Sequence, residues 1–152
     1  MPTFRIETLI AASPEACFEL SLSVDAHAAS MLESTERAVA GVMSGTMHLG
    51  DTVTWRARHF RIPFRMTSVI AEHDRPRRFV DEQVWGPFGR WWHEHTFTAP
   101  PEGGTLMVDT VRYRAPLGPL GTIAERLVLD RYLQQLIRRR NAWLKAELEP
   151  HH

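Results

Sequence analysis

The chain has 152 residues, the size of a single domain with a sizeable buried core. Its 18 basic and 18 acidic side chains cancel, so no whole-molecule field recruits nucleic acid or an anionic membrane, and no stretch reaches the ~18 uninterrupted apolar residues of a membrane-spanning helix. The lone Cys17 excludes an internal disulfide, and the N-terminus has no charged start followed by an apolar run, so the expectation is one cytoplasmic domain over 1–152.

Thr3–Ile10 alternates apolar and polar residues, with Phe4, Ile6 and Thr8 on one side and Arg5, Glu7 and Leu9 on the other, as a half-buried strand does. Ser13 followed by Pro14 is a helix-start signal, since the hydroxyl caps free amides and the ring tolerates the first turn. A helix is therefore predicted over 14–23, and a second short one over 25–31. From 33 to 114 the chain alternates β-branched and aromatic residues. Turn signals at Leu49-Gly50-Asp51, Ile62-Pro63, Arg75-Pro76, Gly86-Pro87 and residues 100–104 divide it into about six strands joined by hairpins. After Pro116-Leu117-Gly118-Pro119 the period becomes helical: Leu120, Ile123, Leu127, Leu133, Leu136, Ile137 and Leu144 form one broad face. Strand, two helices, a run of hairpins and one long helix is an α+β order: a curved antiparallel sheet of about seven strands around a long C-terminal helix.

The segment 78–113 carries the candidate site. Alternation places Trp91, His93, His95 and Phe97 on one face of their strand, bracketed by bulky groups and so directed inward. Phe79, Asp81, Gln83 and Trp85 share a face of the preceding strand, and Thr105, Met107, Asp109, Val111 and Tyr113 of the following one. A turn at 86–89 with Trp85 opposite Trp91 sets Gln83 against His93 and Asp81 against His95. The next hairpin sets Asp109 beside His93 and Met107 beside His95. Trp55 and Met66 point inward, while Arg56, Arg58, Arg61 and Arg65 form an outer face. The product is a polar band crossing an apolar wall, and buried polar groups need partners.

Three readings fit that band. His95 with Asp81 and His93 with Asp109 are structural pairs that hold strand register; or the band is the polar anchor of a ligand cavity; or two histidines and a carboxylate form a metal site. The last is the least supported at this level, because strand alternation yields His-x-His readily and no second metal-type motif accompanies it. No metal or other cofactor is therefore expected. An acid/base variant gives His93 or His95, with Asp109, a proton-carrying role on a bound carbonyl compound. Cys17 lies far in sequence from the band, and no phosphate loop or nucleophile elbow is present. The turns at Ile62-Pro63, 86–89 and 117–121 gather at one end, the expected cavity mouth, where Ile62, Phe88, Leu117 and Leu120 either form an apolar rim or simply pack onto the helix. Arg138, Arg139 and Arg140, with Arg126, Arg131 and Lys145, read as the solvated face of the last helix.

FVDEQVWGPFGRWWHEHTF from 79 to 97, followed by GTLMVDTVRYRAPLGPLG from 104 to 121, resembles the START-related helix-grip superfamily, SRPBCC, and within it a bacterial cyclase/dehydrase-like branch. The likeness covers nearly the whole chain. It implies a helix-grip fold with a deep cavity between sheet and C-terminal helix that receives lipids, sterols, polyketides or other hydrophobic molecules. It sets Asp81, Gln83, His93, His95, Asp109 and Tyr113 at recurrent positions of the branch. The leading expectation is a carrier or sensor of a small hydrophobic molecule, held by Trp55, Met66, Phe79, Trp85, Trp91, Phe97, Met107, Val111, Leu120, Ile123 and Leu127 around the polar band. The rival is a cyclase, aromatase or hydratase, and a third reading is a regulatory module with a vestigial pocket.

Overall fold

The computed structural model describes residues 1–115 and 128–150. β1 (Thr3–Ile10) buries Phe4, Ile6 and Ile10 and exposes Arg5, Glu7 and Leu9. Two short helices follow, α1 (Pro14–Ser21) and α2 (Val24–Ser30). Each opens on a serine hydroxyl that accepts from an amide three residues on, Ser13 from Ala16 at 3.2 Å and Ser23 from Ala26 at 3.1 Å. A 3₁₀ turn, Leu32–Ser34, leads into β2 (Arg37–Gly41). Then come β3 (Thr52–His59), β4 (Ile62–Asp74), β5 (Arg78–Trp85), β6 (Arg90–Thr98) and β7 (Thr105–Arg114), and finally α3 (Asp130–Leu148).

The seven strands form one antiparallel sheet in the order β1-β7-β6-β5-β4-β3-β2, so β7 returns beside β1 and every other neighbour is a sequential hairpin. The helices lie on the concave face. Leu133, Ile137 and Leu144 form the buried stripe of α3. Leu133 and Ile137 meet Phe4, Ile6, Val111 and Tyr113, whereas Leu144 joins Phe18, Phe79, Phe97 and Met107 beneath α1. Phe18 stands edge-on to both Phe79 and Phe97 with ring centroids 5.6 Å apart. At the far end Lys145 Nζ donates to the Leu9 carbonyl, fixing the helix C-terminus to the end of β1.

Four expectations need correction. The β3–β4 turn is at Phe60 and Arg61, both in the left-handed region (φ 54° and 65°), and not at Ile62-Pro63. Ile62 and Pro63 already pair with His59 and Arg58, and Pro63 is tolerated because β5 does not pair with β4 before Thr67. The β5–β6 register is offset by two residues: Asp81 faces His93 and Phe79 faces His95, because pairing ends at Glu82 and Trp92 and leaves a wider loop. The β6–β7 register is likewise offset by two, with Asp109 opposite His95, Val111 opposite His93 and Met107 opposite Phe97. An offset of two keeps every side chain on its expected face. Trp85, finally, points outward and is 63% exposed. β5 carries one extra residue, Val84, between the pairs Ser68–Gln83 and Thr67–Trp85, and this bulge ends the alternation that would have turned Trp85 inward.

Candidate functional site

Between the concave face and α3 lies a cavity of about 440 Å³. Trp55, Met66, Phe79, Asp81, Trp91, His93 and His95 line it, together with Phe64 and Phe88. Phe97, Met107, Val111 and Tyr113 are fully buried in the core behind that wall, and Tyr113 donates its hydroxyl to Asp130 Oδ1 at 3.0 Å. Gln83 serves the loop instead: its amide donates to the Phe88 carbonyl and its Oε1 accepts from the Phe88 amide. Gly86 leaves room for this latch, since a Cβ there would sit 2.5 Å from Gln83 Oε1. Leu120, Ile123, Leu127 and the 117–121 turn lie outside the described residues. The 60–62 and 86–89 turns do supply rim residues: Phe60, Pro87 and Phe88 line the cavity, and Phe60 and Ile62 are exposed.

The polar band is a connected network. Asp109, 0% exposed, is its hub. Its Oδ1 accepts from His93 Nε2 at 2.8 Å and from Arg140 Nη2 at 2.7 Å, and its Oδ2 accepts from Asn141 Nδ2 at 2.7 Å. Asn141 also accepts from Arg140 and donates to Thr8, tying α3 to β1. Nearer the cavity, Asp81 Oδ2 accepts from His95 Nε2 at 2.7 Å and lies 3.8 Å from His93 Nδ1. The two imidazoles stack with centroids 3.8 Å apart, and Phe79 stacks on His95 at 4.0 Å. The His–Asp bonds run on the diagonal between strands, which the two-residue offsets permit.

The electrostatics follow from burial and pairing. Burial pushes the His93 imidazole down to about 4, with the adjacent His95 ring acting in the same sense and the two carboxylates opposing. His93 is thus neutral near pH 7, with hydrogen on Nε2 and a lone pair on Nδ1. Burial works to raise Asp81, yet His93, His95 and Arg140 hold it at about 2. Asp109 sits well below the ordinary carboxylate range, because Arg140 and the imidazole hydrogen bonds outweigh its desolvation.

Arg140 is the residue of this network that sequence reasoning misplaced. It is 5% exposed and bound to Asp109, whereas Arg138 and Arg139 are exposed as expected. The signal was available in the spacing: Leu133, Ile137 and Leu144 define the buried stripe, and positions 140 and 141 fall on that same face. A second polar group on the cavity wall also went unread. His27 Nε2 lies 2.7 Å from Glu36 Oε1, with its ring 4.4 Å from that of Trp55. His59 Nδ1 is 2.6 Å from the Tyr132 hydroxyl, joining the β3–β4 hairpin to the start of α3, and Phe60 packs on Tyr132 at 4.5 Å. Burial lowers His59, and Glu36 also lies low because, against its own desolvation, attraction from His27 and His59 and hydrogen bonds from His27 and Ser34 together prevail. These four residues belong to distant elements and carry no local motif.

Sheet, gripped helix and the cavity between them define the class of the molecule: the chain has the helix-grip fold. No protein-family model and no curated protein matches it. Among solved structures it is similar to TTHA0849 from Thermus thermophilus, with a TM-score of 0.74 and 21% identity over 96% of this chain and 99% of that one. It is similar also to the ZhuI aromatase/cyclase of Streptomyces sp. R1128, with a TM-score of 0.77 and 14% identity over 97% and 93% of the two chains. A START superfamily protein from Mycobacterium smegmatis gives a TM-score of 0.73 at 10% identity over 96% of both chains. At these identities the likeness carries the fold, and the chemistry rests on the residues above. No helix among the described residues is long and apolar enough to cross a membrane.

Proposed function

We propose that this protein binds a small, largely apolar molecule in the cavity between sheet and α3, as a carrier or sensor. The observation that carries this reading is a cavity of about 440 Å³ with aromatic and aliphatic walls and polar groups at two places, the His93–His95–Asp81 band and the His27–Glu36–His59–Tyr132 group. That volume lies within the ~300–1,000 Å³ of small-molecule sites, which pair an apolar lining with a few convergent polar groups. Such a cavity matches a molecule with an apolar body and hydrogen-bonding groups at its ends. Trp55 and Trp91 on the wall provide an intrinsic fluorescence signal.

The test is displacement of an environment-sensitive apolar fluorophore by lipids, sterols and polyketide-like aromatics, with native mass spectrometry of protein purified from its own host. Ala57 is buried on the cavity wall, and Ala57→Phe fills the space. The variant is expected to lose fluorophore binding while retaining a cooperative thermal transition. Binding unchanged in that folded variant would put the ligand elsewhere and defeat the reading. An enzymatic role is favoured by the neutral His93 on the cavity wall and by the fold shared with an aromatase/cyclase. His93→Ala separates the two: an enzyme loses turnover and keeps affinity, whereas a carrier loses affinity alone.

A further inference from the structure

We propose that Asp81, His93 and His95 bind a first-row divalent transition-metal ion on the cavity wall. Asp81, His93 and His95 each offer a donor atom within 4.8 Å of the other two, and Asp81 Oδ2 lies 2.7 Å from His95 Nε2 and 3.8 Å from His93 Nδ1. Donors at bond lengths of about 2.0–2.2 Å sit roughly 3 to 3.5 Å apart around an ion, close to the observed spacing, and binding requires the stacked rings, now 23° apart in plane, to splay until both in-plane lone pairs meet the ion. The inference goes beyond the apolar-ligand reading and does not depend on it.

The surroundings carry the argument further than the triangle. The opposite nitrogens of both rings, His93 Nε2 and His95 Nδ1, meet the same oxygen, Asp109 Oδ1, at 2.8 and 3.3 Å. Metal-bound histidines are usually oriented in this way, by a carboxylate on the nitrogen that does not ligate. Here that carboxylate is immobilised by Arg140 and Asn141.

Each ring nitrogen of His95 meets a carboxylate oxygen, Nε2 that of Asp81 and Nδ1 that of Asp109. His95 Nδ1 lies 3.3 Å from Asp109 Oδ1 and is the one buried side-chain polar atom among the described residues with no hydrogen-bond partner. Such an orphan is costly. Ligation through Nε2 moves the hydrogen to Nδ1, which then donates to Asp109; the ring remains neutral and both nitrogens are satisfied.

Two imidazoles and one carboxylate favour zinc, iron(II), cobalt(II) or manganese(II) over magnesium and calcium, which prefer oxygen donors. Three protein donors leave coordination positions open toward the cavity, where a polar group of a bound molecule would reach the ion.

The test uses the full chain carrying His151→Ala and His152→Ala, stripped with chelator and titrated with Co²⁺ or Zn²⁺ alone. The expected result is one equivalent bound with micromolar or tighter Kd, visible d–d bands for cobalt, and imidazole nitrogen shifts that mark His93 Nδ1 and His95 Nε2 as the ligating atoms. Asp109→Asn weakens binding about 10- to 100-fold, and His48→Ala, at an exposed position, leaves it unchanged. Absence of stoichiometric binding to the unaltered site overturns the proposal, as do nitrogen shifts that mark other histidines; neither readout requires a site variant to fold. Fluorophore displacement in the stripped protein is scored separately, so a failure here is distinct from a failure of the apolar-ligand reading.

Discussion

Arg140 shows how much one side chain decides in this molecule. Its guanidinium is bound to a fully buried carboxylate and to Asn141, at the point where the helix meets the histidine band. Removing one partner of a buried ion pair strands the other charge, so Arg140→Met is expected to lower the free energy of unfolding by about 3–5 kcal/mol. Arg138→Met, two residues away and exposed, is expected to change it by no more than about 0.5 kcal/mol. Urea unfolding of both variants checks this, and equal effects would mean that Asp109 is adequately held without the guanidinium.

Among the elements, the β3–β4 hairpin is the one whose geometry runs against its residues. Phe60 and Arg61 both occupy the left-handed region that glycine or asparagine normally takes, and the strand ends there because His59 and Phe60 reach across to Tyr132 on α3. Arg61 is exposed, and replacing it with glycine relieves that backbone without touching the Tyr132 contacts. Arg61→Gly is expected to stabilise the protein by about 0.5–1 kcal/mol, a rise in Tm of a few degrees by calorimetry. A lower Tm would show that the turn is held by contacts of the arginine itself. The same element explains the misplaced turn: Pro63 is a strong local signal for a chain break, but at an unpaired strand edge its missing N–H costs nothing.

At the scale of the whole molecule the buried network couples stability to pH. In chelator-treated protein His93 has a folded value near 4 against about 6.5 in the unfolded chain, so on acidification the unfolded state takes up a proton that the folded state refuses. The groups facing it are Asp81, Asp109, His95 and Arg140. Stability is therefore expected to be full above about pH 6.5, to fall by on the order of 3 kcal/mol between there and pH 4, and to level for this group below that. His59, lowered by burial, acts in the same sense. Asp81, at about 2 when folded, extends the loss below pH 4, because its stabilisation disappears as the pH falls through its folded value. Urea titrations across that range should show the slope, and His93→Gln should flatten its upper part. A constant stability between pH 6.5 and 4 would contradict the assignment of His93 as a neutral buried group.

Much of the architecture was legible because it is periodic. Alternation in β1, β6 and β7 and the stripe of Leu133, Ile137 and Leu144 set which faces are inside, and a two-residue error in either hairpin left those faces unchanged. The cap at Ser13-Pro14 marked α1 for the same local reason. What only tertiary structure decided depends on contacts between distant segments: the bulge at Val84 that turns Trp85 outward, the burial of Arg140 opposite Asp109, and the meeting of His27, Glu36, His59 and Tyr132 across the cavity. Periodicity assigns a side chain to a face, but the burial of a charge depends on whether a partner of opposite sign arrives on another element, and that is settled only when sheet and helix close on each other.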